Sequence, residues 1–151
     1  MRVATISVAC VLLVGGGCVS HPVGPARTVG KYTGKATTTA KSALSQVETV
    51  RLATEVADRG DATAPFTSIV VSEAEDALDG LSGTFESIQP PGDAADQLRD
   101  ELSALLSDAL DHTAAVRIAV RRGTLRGLAQ VAEPLDGDAA ALRRFLKAHG
   151  A

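Results

Sequence analysis

Apolar residues recur every three or four positions from residue 41 to residue 146, and this spacing constrains the fold more than any other feature of the sequence. Such spacing places them on one face of an α-helix, and no stretch shows the strict alternation typical of a strand. Aromatic residues make up 3% of the chain and Trp is absent, so Leu, Val and Ala must form the core. That composition suits closely packed helices better than a sheet, and it predicts an all-α fold.

The first two predicted helices cover residues 41–60 and 65–89. Gly60 is expected to end the first helix, and Pro65 to begin the second, because proline is tolerated in the first turn. The apolar face of the first helix is predicted to comprise Ala43, Leu44, Val47, Val50, Ala53 and Ala57. That of the second is predicted to comprise Phe66, Ile69, Val70, Ala74, Ala77, Leu78, Leu81, Phe85 and Ile88.

The third and fourth helices are predicted from Asp93 to Gly123 and from Thr124 to Leu146, with Asp93 and Thr124 as N-caps. A kink or break is expected in the fourth helix near Pro134–Asp138. The predicted apolar residues of the third helix include Leu98, Leu102, Leu105, Leu106, Ala109, Val116 and Val120. Those of the fourth include Leu125, Leu128, Ala132, Leu135, Leu142, Phe145 and Leu146.

Short connections make successive helices antiparallel neighbours. Loops of about four to seven residues favour an up-down-up-down four-helix bundle. The chain of 151 residues is long enough for about one domain, and we expect that domain to occupy residues 41–151.

The N-terminus has a different pattern. Met1-Arg2 supplies a positive charge, and the apolar run Val3–Val14 follows it. A run of twelve residues is too short to span a bilayer core, which needs about 20. A short apolar run after a cation is typical of a secretory signal peptide, which the sequence predicts for residues 1–17.

Gly15, Gly16 and Gly17 lead directly into Cys18, and this ending resembles the lipobox of bacterial lipoproteins. The resemblance implies cleavage between Gly17 and Cys18, a diacylglycerol on the Cys18 thiol and further acylation, for example by palmitate. The third position before the cysteine is normally aliphatic in that family, and Gly15 departs from it. An ordinary signal peptide cleaved nearby, which would leave a free thiol, is the alternative.

Cysteine usage agrees with an anchor. Cleavage would remove Cys10, so Cys18 would be the one cysteine of the exported chain, and such an odd cysteine needs an explanation. Acyl chains would hold the protein on a membrane. We therefore expect an exported protein anchored through Cys18 to the outer face of the cell membrane.

Residues 19–40 show no apolar periodicity and are rich in Gly, Pro, Thr and Lys. This composition is typical of a flexible tether, so residues 18–40 are predicted to comprise the lipidated cysteine and a tether. Residues 19–47 carry Arg27, Lys31, Lys35 and Lys41 and no acidic residue. The cations either favour an anionic membrane surface or merely keep the tether soluble.

The residues that usually bind metals or cofactors are sparse. A zinc site needs three or four clustered ligands, whereas the histidines are His21, His112 and His149. Asp108 and His112 share a helical face and are weak metal candidates, but His112 is better explained as a partly buried residue at the edge of the apolar stripe. No metal and no cofactor is predicted.

Motifs for nucleophilic catalysis and phosphate binding are also missing from the sequence. The segment Gly80–Gly83 does not match the Gly-x-Ser-x-Gly elbow, and no phosphate-binding glycine loop is found. No catalytic residue is therefore predicted, and the sequence favours a non-enzymatic protein.

Four arginines cluster at the end of the third predicted helix and in the following loop: Arg117, Arg121, Arg122 and Arg126. Cations near a helix C-terminus complement its dipole; a patch for an anion or an acidic partner is the alternative. Ile118 lies opposite the apolar stripe and is expected to be exposed.

Residues 58–111 hold 13 acidic residues against two arginines, so the domain lacks the clustered basic footprint of a nucleic-acid binder.

Residues 90–123, PPGDAADQLRDELSALLSDALDHTAAVRIAVRRG, also resemble a stretch of small actinobacterial helical lipoproteins of unassigned function. The resemblance implies a helical bundle and no particular activity. Three hypotheses follow. The first is a lipid-anchored accessory protein that binds an envelope protein, and the second is an envelope lipoprotein that binds a small ligand or a metal. The third is an envelope enzyme, which the sequence disfavours because no nucleophile–base pair can be named.

Overall fold

The computed structural model describes residues 26–150, and within that range the chain forms helices and no strands. They are α1 (Val29–Asp58), α2 (Ala64–Glu86), α3 (Asp93–Arg121), α4 (Leu128–Val131) and α5 (Pro134–His149). The four long helices form an all-α bundle, as the spacing of apolar residues predicts.

Contacts between specific side chains establish the direction of each helix. His112 and Glu101 of α3 contact Asp138 and His149 of α5, respectively, so residues earlier in α3 meet residues later in α5. The same reversed order relates α1 to α5, where Glu48 contacts Arg143 and Arg51 contacts Asp136. Helices α1 and α3 are thus each antiparallel to α5 and parallel to one another, and the contacts of Arg117 with Glu75 and of Arg99 with the Glu86 carbonyl make α2 antiparallel to α3. Both α1 and α3 contact all the other helices, and α2 and α5 lie on opposite sides of this central pair.

The two ends of the bundle differ in what they contain. We call the end where α1 begins the proximal end; it also holds the loop between α2 and α3 and the last turn of α5. The distal end holds the last turns of α1 and α3, the first turns of α2, and α4. Helix α1 has 30 residues, which corresponds to a length of about 45 Å.

The core is built from small and medium-sized aliphatic residues with few rings. At the proximal end Tyr32 packs against Phe85 with ring centroids 5.6 Å apart, and Ala26 and Ile88 are buried in the same cluster. Burial raises the pKa of the Tyr32 phenol above its usual value. The remaining core is dominated by Leu78, Leu102, Leu106, Leu128, Leu135, Leu142 and Phe145.

The prediction of a flexible tether up to residue 40 is wrong for residues 29–40, which form the first turns of α1. Their buried stripe of Tyr32, Ala36 and Ala40 consists mostly of small side chains, so it gives little periodic signal. The threonines are compatible with a helix because their hydroxyls donate to carbonyls of the preceding turn, as Thr38 does to Gly34 at 2.9 Å. Residues 1–25, including Cys10, Cys18 and the rest of the predicted tether, lie outside the described residues.

The predicted apolar face of α2 is wrong at its first turns. Phe66 and Ile69 are exposed, whereas Thr67 and Val71 are buried. A threonine therefore occupies a core position, with its hydroxyl donating to the Thr63 carbonyl at 3.0 Å. The hydroxyl is satisfied within its own helix, which permits this burial.

Two predicted helix starts differ from the observed ones. The N-cap of α3 is Gly92, with φ 154°, and Asp93 is the first helical residue. In place of one fourth helix from Thr124, residues 122–127 form a turn, followed by α4 and α5. The break precedes Pro134, which begins α5, and the helix continues through Asp136–Asp138. Proline lacks an N–H, which suits the first helical position.

Gly80 offers a stability test of α2. A Cβ added at Gly80 would meet nothing within 4 Å, and glycine inside a helix costs about 0.5–1 kcal/mol relative to alanine. We expect Gly80→Ala to raise the free energy of unfolding by about that amount, measured by urea denaturation.

Gly123→Ala is the matched control, because Gly123 has φ 80°, where a side chain costs about 1–2 kcal/mol. It should lower the free energy of unfolding. A loss of stability in Gly80→Ala would contradict the described environment of α2.

Candidate functional site

A pair of ionisable residues joins α3 to α5 in the middle of the bundle. The Nδ1 of His112 lies 2.7 Å from Oδ2 of Asp138. The Asp138 side chain is 8% exposed, whereas that of His112 is 38% exposed. A carboxylate has only acceptor atoms, so Nδ1 of a neutral His112 carries the proton and Nε2 is the free acceptor.

Opposing effects act on the Asp138 carboxyl. Burial raises its pKa above the usual value, because removal from water disfavours the charged form. The hydrogen bond and the charge of His112 lower it, and the nearby carboxylate of Asp108 raises it further. The net result is a raised pKa, because the effect of burial outweighs the contact with His112.

The proposed metal candidates do not form a complete site. His112 uses one ring nitrogen for Asp138, and Asp108 is exposed on the same helix. Among residues 26–150, no group of three or more His, Cys, Asp or Glu side chains could hold a metal ion. A carboxylate behind a histidine is, however, the arrangement that orients a metal-bound imidazole.

Asp138 is not among the predicted site residues, because the sequence predicts an interruption of the fourth helix at Pro134–Asp138. It lies in register with Leu135, Leu142 and Phe145, all of which are buried. An acidic residue at a core position of a helix indicates a buried ionisable group. If Pro134 is taken as the first residue of a helix, the sequence places Asp138 at such a core position.

The four arginines divide into one paired residue and three others. Arg117 forms an ion pair with Glu75 of α2, and the two side chains are 24% and 21% exposed, respectively. The contact with Glu75 raises the pKa of Arg117 above its ordinary value. Arg121, Arg122 and Arg126 are exposed, and within residues 26–150 no ion pair or hydrogen bond involves their side chains.

Large apolar side chains are exposed at the distal end. Ile118 is 41% exposed, which confirms its predicted place opposite the apolar stripe. Phe66 and Ile69, in the first turns of α2, are 56% and 58% exposed, and Leu52 of α1 is 61% exposed. Val29, at the start of α1, is the exposed large apolar residue of the proximal end within the described range.

Charge is unevenly distributed around these side chains. Residues 62–72 contain no charged residue, and residues 114–127 contain four arginines and no acid. The ion pair between Glu75 and Arg117 joins α2 to α3 just beyond the uncharged segment. The distal end therefore combines an uncharged start of α2, a basic end of α3, and the acidic residues Asp58 and Asp61 at and after the end of α1.

Comparisons with known proteins give no match: none was found among protein-family models, curated proteins or solved structures. The fold thus defines the class, an all-α helical bundle. None of the helices within residues 26–150 has both the length and the apolar character required to cross a membrane.

The pair of His112 and Asp138 can be tested by stability. We expect His112→Ala to lower the free energy of unfolding by about 1–3 kcal/mol, because it leaves a buried carboxylate without its partner. His149→Ala is the control. Its partner Glu101 is 50% exposed, so that variant should lose no more than about 1 kcal/mol.

The pH dependence gives a second readout on the His112→Ala background. A carboxyl with a raised pKa in the folded state binds its proton more tightly when folded, so its cost is present at neutral pH and disappears as pH falls through that pKa. Adding Asp138→Asn should therefore stabilise the His112→Ala chain at neutral pH, with the gain vanishing in acid. A pH-independent difference would contradict the role of Asp138.

Proposed function

We propose that this chain is a lipid-anchored, non-enzymatic accessory protein of the cell envelope, which binds another envelope protein through its helical bundle. The observation that carries the proposal is the pattern of residues 3–18, in which an apolar run leads through three glycines into Cys18. Acyl chains on Cys18 would provide stable attachment to the outer face of the cell membrane.

The position of Ala26 supports an orientation for the anchored protein. Ala26 is 3% exposed, belongs to the core cluster and lies just before the start of α1, at the proximal end. It follows Cys18 by eight positions, and eight residues span at most about 29 Å. An anchor at Cys18 would therefore hold the proximal end near the membrane and leave the distal end available to a partner.

The anchor has a direct test. The expected result is that the native chain incorporates radiolabelled palmitate and enters the detergent phase of a Triton X-114 extract, whereas Cys18→Ala does neither. Cys10→Ala is the matched control, because Cys10 would be removed with the signal peptide. Its labelling should equal that of the native chain. Native chain recovered in the aqueous phase with a free Cys18 thiol would contradict the proposal.

A second candidate function is metal binding at His112. The observation that favours it is the contact of Asp138 with the Nδ1 of His112, which leaves Nε2 as the nitrogen available to a metal. Calorimetric titration with Zn²⁺ tests this candidate. Binding heat that disappears in both Asp108→Ala and His112→Ala would support it, and the absence of heat would exclude a zinc site there.

A further inference from the structure

We infer that the distal end binds an acidic segment of another protein that also presents apolar side chains. The surface, which we call the distal surface, consists of Ile118, Arg121, Arg122 and Arg126. This inference deepens the proposed function and rests on it, because the orientation of the bundle comes from an anchor at Cys18.

The apolar part of the distal surface is Ile118, which is 41% exposed. It lies three and four positions before Arg121 and Arg122, so the three side chains share one face of α3. A single exposed apolar residue is normal on a protein surface, but this one adjoins exposed arginines. Covering it would remove apolar area from water, which favours association.

The basic part is only partly explained by the stability of α3. Arg121 and Arg122 lie at the C-terminus of α3, where cations complement the helix dipole. Arg126 follows Gly123, beyond the end of that helix, and the dipole effect falls off within the last turn. All three side chains are exposed and have no described acidic partner. Positive charge is therefore available to a second molecule.

The geometry of this end is fixed by contacts with its neighbours. The Glu75 carboxylate accepts a hydrogen bond from Arg117 and so holds α2 against α3. The Asp58 carboxylate accepts from the Gly127 N–H and ties the turn after α3 to the end of α1. Arg126 and Ile118 thus lie on a part of the bundle that contacts with neighbouring helices hold in place. A surface that is already ordered loses less conformational entropy when a partner binds.

Charge complementarity identifies the partner as acidic. Residues 114–127 contain no acidic residue. At the end of α1 and just after it, the Asp58 carboxylate accepts from the Gly127 N–H and Asp61 lies 3.5 Å from Arg59, so both of these acids have other partners. Guanidinium groups bind carboxylates in a bidentate geometry. An acidic protein segment is favoured over anionic lipid because the distal surface lies about one helix length, about 45 Å, from the end that the anchor would hold at the membrane.

The experiment uses the acylated chain in nanodiscs of neutral phosphatidylcholine. The probe is a fluorescein-labelled peptide of glutamate and leucine repeating at helical spacing, and binding is followed by fluorescence anisotropy. The distal variant combines Arg121→Gln, Arg122→Gln and Arg126→Gln. Its control, of equal charge change, combines Lys41→Gln, Arg144→Gln and Lys147→Gln, all at exposed positions away from the distal surface.

The inference predicts that the native chain binds the peptide and that added salt weakens binding. The distal variant should bind about tenfold more weakly, while the control stays within about twofold of the native chain. A matched apolar pair gives an independent readout. Ile118 and Val29 have similar exposed fractions, 41% and 46%. Ile118→Gln should nevertheless weaken binding, whereas Val29→Gln should not.

Equal weakening by the two charge variants, or no binding of the peptide by the native chain, would overturn the inference. Co-flotation of the nanodiscs with phosphatidylglycerol vesicles that depends on the three arginines, without peptide binding, would identify lipid as the occupant and also overturn it. The acylated fraction is measured separately by mass spectrometry. A chain that fails to acquire lipid therefore refutes the proposed function, whereas an acylated chain that fails to bind refutes only this inference.

Discussion

The close packing of α1 against the other helices is the interaction on which the rest of the structure depends. Helix α1 contacts every other helix, and its buried face is made largely of Ala36, Ala40, Ala43 and Ala57. Small side chains allow helix axes to approach closely, so α1 and α3 meet across the bundle while α2 and α5 flank them. With few rings to fill space, the core relies on this approach and on leucines.

Contacts between charged side chains fix how α5 is aligned with α1 and α3. Helix α5 is joined to α1 by Arg51 and Asp136 and to α3 by His112 and Asp138. The exposed pairs contribute little free energy each, but Asp138 is buried, and its misplacement would leave a charge without a partner. The pair therefore disfavours alternative rotations of α5, even where a hydrophobic pair would be more stabilising.

The all-α class follows from the spacing of apolar residues, because long amphipathic stretches produce a strong periodic pattern. The predicted helix boundaries and buried faces are wrong where polar or small residues occupy core positions. Thr67 is buried in α2 and Phe66 is not, and residues 29–40 are helical although Thr and Gly dominate them. The partners of His112 and Arg117 are distant in sequence, so no local pattern could reveal Asp138 or Glu75 as their contacts. The exposed residues of the distal end were foreseen only at Ile118 and the arginines.

We expect the two ends of the bundle to face different surroundings, membrane at the proximal end and a protein at the distal end. Photo-crosslinking in intact cells can distinguish them, with a benzophenone amino acid placed at Ile118 in one chain and at Val29 in another. We expect a discrete protein adduct from position 118 that is lost when Arg121, Arg122 and Arg126 are replaced by Gln, and no such adduct from position 29. The same protein adduct from both positions, or none from position 118, would contradict this expectation.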